Sequence, residues 1–236
     1  MPKARRREEG SPPLSRERIV DAAMQIADEG GLAVLTMRKL ALVLGVEAMS
    51  IYYYVASRDA LVSAMLELVH DQMEVAGSGP DWKAALRSSA MSAHRLLEQH
   101  PWASNLIESP ARMTGRMRYM NGMLACLRRA GFSLEQTDLA YHTLDAHIVG
   151  GALWGVGIAQ IARDFAPGPD GNGINGLPQW FRDSLSAGDF PNLVEHIEFH
   201  SSPAVAEHDT FEFGLDFILD GLERLPRSSQ PEAEPQ

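Results

Sequence analysis

The spacing of apolar residues around Gly45 predicts two short helices joined by a tight turn. The apolar positions are Met37, Leu40, Ala41 and Leu44 before the glycine, and Val46, Met49 and Val55 after it. Intervals of three and four residues place such side chains on one helix face. Glycine suits the turn because it has no Cβ. The pattern predicts a helix-turn-helix, a motif whose second helix enters a DNA major groove.

Neighbouring segments predict three helix starts. Ser15, Thr36 and Ser57 stand where an N-cap is needed, each before an apolar stripe. The first helix is expected to end at Gly30-Gly31. The helix that starts after Ser57 is expected to lead the chain away from the motif.

Beyond residue 80 the apolar pattern remains helical. Helices are predicted over 82–99 and 113–127, and the His100-Pro101 pair is expected to break the first of these. Residues 164–178 are rich in Gly, Pro and Asn and predict a loop. A last helix is predicted from Phe211, so we expect an all-α protein.

We expect four segments along the chain. They are a basic disordered arm over 1–13, a DNA-binding domain over 14–76, a larger helical effector-binding and dimerisation domain over 77–226, and a disordered tail over 227–236.

The net charge of −10 conceals an uneven distribution. Residues 1–60 hold nine basic and eight acidic side chains, a net of +1, whereas residues 61–236 hold 12 and 23, a net of −11. The basic cluster lies at the start of the chain, at Lys3, Arg5, Arg6 and Arg7. Because local charge governs contact with nucleic acid, the acidic total does not exclude a DNA-binding front section. The alternative for the arm is a solvated terminus without a DNA role.

Other features of the composition point to the cytoplasm. A single cysteine, Cys126, excludes a disulfide framework. No apolar run approaches the ~20 residues that cross a bilayer, and the N-terminus lacks the pattern of a signal peptide. We therefore expect a cytoplasmic protein without membrane contact.

Residues 17–65 resemble the DNA-binding domain of the tetracycline-repressor (TetR) family of bacterial transcriptional regulators in order, spacing and residue type. The resemblance implies that residues near the start of the second helix, on the recognition helix and at the start of the next helix contact DNA. These are Thr36, Met37, Arg38, Lys39, Ala48, Met49, Ser50, Tyr52, Tyr53, Tyr54 and Arg58.

Two of these positions depart from the tetracycline repressors themselves. Those proteins have Gln at the place of Ala48 and Pro at the place of Met49, so the operator sequence is expected to differ. Arg38 has the geometry for bidentate contact with guanine, or for phosphate. We also expect one of the three tyrosines to pack inward.

A second resemblance, to the tetracycline repressors proper, lies in GFSLEQ at 131–136 and FEFGLDFILDGLERL at 211–225. It implies a helical domain that dimerises through a four-helix bundle. A heptad-like spacing in the last helix favours the same interpretation, and an ordinary core helix within one subunit is the alternative. The dimer contacts are expected at Phe211, Gly214, Leu215, Ile218 and Leu222.

The effector is expected to be a small molecule bound between helices of the C-terminal domain. Methionines at 113, 117, 120 and 123 suit a pocket for a bulky apolar ligand, or plain core packing. The expected ligand-binding residues are Met73, Ser89, Met117, Met120, His147 and Trp154.

We expect no metal, cofactor or catalytic centre. The tetracycline repressors hold magnesium-bound drug through a His and a Glu, whose places fall near Ile107 and Trp154, neither a ligand for a hard cation. His196 and His200, with His208 nearby, have zinc-like spacing, but an exposed helix face is the better interpretation because no HExxH order accompanies them. No nucleophile-base pair or phosphate loop is present.

The sequence thus predicts a homodimeric repressor that binds a palindromic operator and is released by a small molecule. Two alternatives remain open for the C-terminal half. One is an enzyme fused to a DNA anchor, and the other is a protein-interaction module without small-molecule input. A cavity lined by Met117, Met120 and Trp154 would favour the sensor.

Overall fold

The computed structural model describes residues 13–104, 106, 114–164, 179–186, 190–200 and 210–226, with backbone alone at 158–164, 181, 186 and 200. Several expectations concern residues outside these ranges. They are the basic arm up to residue 12, Ile107, Met113, the loop over 165–178, His208, the tail over 227–236 and the His200 side chain.

All regular structure in the described part of the chain is helical. The helices are α1 Arg16–Gly30, α2 Met37–Leu44, α3 Ala48–Tyr52, α4 Arg58–Gln72, α5 Trp82–Gln99, α6 Pro101–Ser104, α7 Thr114–Arg129, α8 Leu134–Asp164, α9 Gln179–Ser186, α10 Pro191–His200 and α11 Thr210–Glu223. Among these, no helix has the length and apolar character needed to cross a membrane.

The front section of the molecule consists of α1 to α4. Three of its helices begin at side-chain caps, as the sequence predicts. Ser15 Oγ accepts from the Arg18 amide at 3.2 Å, Thr36 Oγ1 from the Lys39 amide at 3.1 Å, and Ser57 Oγ from the Ala60 amide at 3.0 Å. Each cap satisfies one amide that the first helical turn leaves without an intrahelical acceptor. The starts of α1, α2 and α4 are therefore fixed locally.

Gly45 makes the turn between α2 and α3. Its φ is 69°, in the left-handed region, and its amide bonds back to the last turn of α2. A side chain there would be strained because left-handed backbone brings Cβ close to the carbonyl oxygen. The turn holds α3 against α2 at a fixed angle.

The front section has its own apolar core. Ile19 of α1, Leu40 of α2, Ile51 of α3 and Leu61 of α4 are completely buried. Because each helix contributes at least one such anchor, the short helix α3 is held by packing, although its five residues have little helical stability alone.

The rest of the chain is a helical bundle in which α5 packs against α7, α8 and α11. At one end Trp82 and Phe132 meet edge to face, with ring centroids 5.2 Å apart. In the middle, the Phe211 ring stacks between His94 and His147, at 3.5 and 4.7 Å. These contacts join α5, α8 and α11 into one core.

Helix α4 belongs to both parts of the molecule, because it packs against α1 on one side and against α7 on the other. Two glycines of α7 allow close approach: a Cβ at Gly115 would lie 2.7 Å from the His70 Cβ on α4, and one at Gly122 would overlap Val75 in the segment that follows α4. Arg118 adds an ion pair to Asp71 at 2.8 Å. A displacement of α7 would therefore reach α4 directly.

Three of the five predicted dimer contacts on α11 are corrected by the structure. Phe211 and Leu215 are buried inside their own subunit, and Ile218 and Leu222 are half-buried against the same core. Gly214 faces His147 of the same chain, where a Cβ would lie 2.5 Å from the ring. Phe211, Gly214 and Leu215 thus belong to the core of one subunit, the alternative that the sequence left open, whereas dimer contacts at Ile218 and Leu222 stay a prediction.

Candidate nucleic-acid interface and sensor core

The outer surface of α2 and α3 is where most of the predicted DNA contacts lie. Ile51 anchors α3 inward, whereas Met49 is 68% and Tyr53 88% exposed. Arg38 and Lys39 are exposed in the first turn of α2, beside the cap Thr36, and Ala48 and Ser50 are half-buried. Apolar, hydroxyl and cationic groups therefore share one solvent-facing surface, which we call the α2–α3 surface.

One expectation for this surface is wrong. None of the three tyrosines packs inward, since Tyr52 and Tyr54 are 42% and 45% exposed and Tyr53 more so. Helix α3 ends at Tyr52, and the inward positions are taken by Ile51 and Val55. All three phenol rings are accessible to a partner.

Arg58 has an intramolecular role that the sequence did not reveal. Its Nε donates to the Leu35 carbonyl at 2.9 Å and its Nη2 to the Leu32 carbonyl at 2.6 Å. These bonds tie the start of α4 to the loop that precedes α2. Arg58 therefore holds the α2–α3 surface in place, and a direct DNA contact by this residue stays a prediction.

The predicted ligand-binding residues do not gather in one place. Met117 and Trp154 are 63% and 70% exposed, which excludes them as lining of an internal pocket of one subunit. Ser89 is buried, but its hydroxyl donates to the Glu74 carbonyl at 2.7 Å. Met73 is buried, and Met120 and His147 are half-buried.

The prediction that the methionines of α7 share one face of the helix is also wrong. Met123 is completely buried while Met117 faces solvent. Six residues rotate a helix by roughly 600°, so these two side chains point about 120° apart. Met117 and Trp154 therefore face solvent and do not line an internal cavity of one subunit together with Met120.

A buried polar cluster in the bundle core escaped the sequence analysis. It consists of His70 on α4, Arg116 and Tyr119 on α7, and Asp145 on α8, each less than 10% exposed. Arg116 Nη2 donates to Asp145 Oδ2 at 2.6 Å, and its guanidinium lies 5.9 Å from the centre of the Tyr119 ring. The sequence signal that could have revealed this cluster is the presence of charged residues at inward positions of otherwise apolar helices.

The surroundings of the cluster keep two of its members, His70 and Tyr119, neutral. Burial lowers the pKa of His70 to about 4, and the nearby Arg116 charge acts in the same direction. Burial also raises the pKa of Tyr119. At neutral pH His70 is an uncharged imidazole and Tyr119 an uncharged phenol.

A cavity of about 600 Å³ separates the end of α1 from α6 and α8. Its walls include Gly30, Trp102 and Gly155. Beside it, Asp28 Oδ1 accepts from the Trp102 indole at 2.7 Å and lies 2.8 Å from His100 Nδ1. These bonds connect the front section to α6.

The outer face of α8 and α11 is apolar and unpartnered within the described chain. Phe213 and Phe217 are 76% and 74% exposed on α11, and Leu139 and Trp154 are 61% and 70% exposed on α8. Monomeric proteins rarely expose large contiguous apolar patches, so these side chains are candidates for contact with a partner. The sequence missed Phe213 and Phe217 because periodicity alone does not tell which stripe of α11 faces its own core.

Within the described residues, no group of three metal-binding side chains is close enough to hold an ion. Trp154 stands on the surface, and His196 lies on an exposed part of α10.

A capped helix-turn-helix joined to a helical bundle is the architecture of a class of DNA-binding transcriptional regulators. Residues 19–65 match the family model "Bacterial regulatory proteins, tetR family", and residues 76–225 match "Tetracyclin repressor-like, C-terminal domain". The chain belongs to the TetR family. These matches confirm the expected family and all-α fold. Because the family and the similar proteins are transcriptional regulators, the alternative of an enzyme fused to a DNA anchor is not supported.

Similar proteins include the HTH-type transcriptional repressor DrrR1 of Streptomyces coeruleorubidus, which is 32% identical over 233 residues, 95% of this chain and 83% of that one. Tetracycline repressor protein class D of Escherichia coli is 28% identical over 175 residues, 73% and 78% of the two chains.

Among solved structures, the Streptomyces coelicolor TetR family protein ActR in complex with (S)-DNPA is 28% identical with a TM-score of 0.63, and the match covers 90% of this chain and 98% of that one. ActR in complex with actinorhodin gives 26% and 0.59 at the same coverage. The family and these relatives identify the chain as a transcriptional repressor that binds operator DNA.

Proposed function

We propose that the protein acts as a homodimer that represses transcription from a palindromic operator and is released by a small organic effector. The observation that carries this proposal is the α2–α3 surface. It exposes Met49 and Tyr53 beside two cations while Ile51 fixes its orientation from within. Such a surface suits a major groove, with phosphate contacts from hydroxyls and cations and apolar contacts to thymine methyl groups.

Dimerisation is supported by the exposed face of α8 and α11. Phe213 and Phe217 project from α11, and α8 presents small residues at Ala146 and Gly150 between exposed leucines. In the proposed dimer, these rings of one protomer would pack against the small residues of its partner. A twofold axis through this face would set the two α2–α3 surfaces at about one helical turn of DNA, ~34–36 Å, or a somewhat larger spacing.

Release by an effector is supported by the contacts of α4. Because α4 packs on α1 and on α7, a ligand that shifts α7 changes the position of the whole front section. A coupling of about 1–3 kcal/mol would change operator occupancy roughly 5- to 150-fold. ActR, a similar protein, has been solved with (S)-DNPA and with actinorhodin, which supports an organic molecule as the effector here.

The test is footprinting of the protein on duplexes from its own promoter region, followed by titration with a panel of small organic molecules. A protected palindrome, relieved by at least one compound, supports the proposal. Arg38→Ala should weaken operator binding, whereas Lys83→Ala, which removes a cation from α5, should not. Failure to protect any palindrome would refute the repressor function, and protection that no compound relieves would favour a sensor-free interaction module.

A further inference from the structure

The cavity between the end of α1 and helices α6 and α8, which we call the junction cavity, has the size of a pocket for a small organic molecule. Its volume is about 600 Å³, within the range of known ligand pockets. Leu32, Pro101, Leu106 and Val156 give it apolar walls. The junction cavity therefore has room for a hydrocarbon body.

The charged residues that line the junction cavity are all acidic in the described part of the chain. They are Asp28, Glu29 and Glu98, and none of the described lining residues is a lysine or an arginine. Two histidine rings lie beside these carboxylates, His100 at 2.8 Å from Asp28 and His94 at 3.5 Å from Glu98. Even with both rings protonated, one negative charge stays unmatched, so the junction cavity favours a cation over an anion.

The polarity of α1 acts in the same direction. The last residues of this helix, from Ala27 to Gly30, line the cavity, and the final carbonyls of a helix form the negative end of its dipole. No basic side chain lies in this last turn. Asp28 and Glu29 occupy it instead, although carboxylates at a helix C-terminus oppose the dipole. A bound cation would relieve this unfavourable arrangement.

We propose that the junction cavity is a second ligand site, which takes a small organic cation with an apolar body. The positive group lies among the carboxylates at the end of α1, and the apolar body packs against Leu32, Pro101 and Val156. The site does not depend on the small-molecule release proposed above, because none of the residues expected to bind that effector lines this cavity.

The position of the junction cavity gives the ligand a regulatory role. One wall belongs to α1 of the front section, and the others belong to the ends of α5 and α6 and to α8 of the bundle. A rotation of the front section against the bundle changes the shape of the cavity, so a ligand that fills it favours one orientation. By linkage, the ligand and the operator then change each other's affinity by the same factor.

The first experiment compares three probes that share a naphthalene frame, by calorimetry on the full chain at pH 7. The probes are the cation 2-naphthylmethylammonium, its neutral analogue 2-naphthylmethanol, and the anion 2-naphthoate. We expect the cation to bind at least about tenfold more tightly than the other two. Equal binding of the three probes, tighter binding of the anion, or no binding of the cation at millimolar concentration would overturn the proposal.

A pair of glycine variants locates the site. Gly155 lines the junction cavity, and a Cβ added there meets no atom within 4 Å. Gly155→Leu should therefore fill part of the cavity without a clash and weaken the cation at least about tenfold, while leucine in place of glycine favours the helix. Gly157→Leu is the matched control, because Gly157 also has open space around its Cβ but does not line the cavity.

The two glycine positions point about 200° apart around α8, so only the first variant should lose the probe. Unchanged affinity in Gly155→Leu, or an equal loss in both variants, would place the binding site elsewhere. Thermal unfolding of both variants shows that any loss of binding is not a loss of fold.

Charge variants test the preference for a cation. Glu29→Gln and Glu98→Gln should each weaken the cation about threefold to fivefold and leave the alcohol unchanged, because each removes one partly solvated charge. The control is Glu135→Gln, an exposed carboxylate 17 residues before Ala152 on α8, about 25 Å away along the helix. Equal weakening of the cation and the alcohol would contradict the charge assignment.

Operator affinity is then measured with and without saturating cation, and the duplex alone is titrated as a control for binding of the probe to DNA. A change of at least about fivefold supports the regulatory role, and an unchanged affinity refutes it. Loss of operator binding by the unmodified chain would count against the repressor function while calorimetry still decides the site. Intact operator binding without selective cation binding would refute the junction site alone.

Discussion

Removal of Phe217 tests whether the outer face of α11 forms the dimer. Phenylalanine carries about 150–250 Å² of surface, and three quarters of this ring is exposed in the single chain. At ~25 cal/mol per Å², burial of this exposed part contributes roughly 3–5 kcal/mol per protomer, which Phe217→Ala removes. A twofold interface contains the ring twice, so the upper limit is about 6–9 kcal/mol per dimer.

Sedimentation equilibrium over a dilution series measures this effect. We expect the dimer dissociation constant to rise at least about hundredfold, allowing for the incomplete conversion of buried area into affinity. The matched control is Leu42→Ala, which trims a side chain of equal exposure, 75%, on α2. A Phe217→Ala protein that dimerises within about threefold of the unmodified chain would refute the assignment of this face.

Leu215 gives the opposite expectation on the same helix. It is completely buried in its own subunit, so Leu215→Ala should lower the free energy of unfolding by about 2–5 kcal/mol. If Leu215→Ala weakened the dimer without lowering the free energy of unfolding, Leu215 would instead be a dimer contact, as the sequence suggested.

Further predictions concern the front section and the core. Arg38→Ala should weaken operator binding and reduce the slope of log affinity against log salt by about 1 if Arg38 binds phosphate, and an unchanged affinity at matched salt would contradict its assignment. Arg58→Ala should lower the free energy of unfolding by about 1–2 kcal/mol in urea titrations, since the Leu32 and Leu35 carbonyls lose their donor. An unchanged free energy of unfolding would show that these two hydrogen bonds do not stabilise the fold. Gly45→Ala should cost about 1–2 kcal/mol at its left-handed φ, and an equally stable variant would mean that the turn relaxes. Because the pKa of His70 is lowered from 6.5 to about 4 in the folded state, stability should be complete above pH 6.5 and fall as pH drops toward 4, by up to about 3 kcal/mol. His70→Leu should flatten this part of the stability profile, and identical profiles would refute the assignment.

The sequence by itself determined the local features of the fold. Ser15, Thr36 and Ser57 cap the helices as expected, and Gly45 takes the left-handed turn. These outcomes depend on interactions within about four residues, which a linear pattern contains. The family resemblance depended on the same short-range register, and it predicted the class of protein and the helical C-terminal half.

Only the tertiary structure decided which helix face meets which partner. A heptad-like stripe on α11 fits either a dimer or a subunit core, and packing against α5 and α8 turned Phe211 and Leu215 inward and left Phe217 outside. The grouping of His70, Tyr119 and Asp145, from three helices up to 75 residues apart, is also invisible in any local pattern. Burial and pairing depend on long-range packing, whereas periodicity records only that a helix has an apolar side.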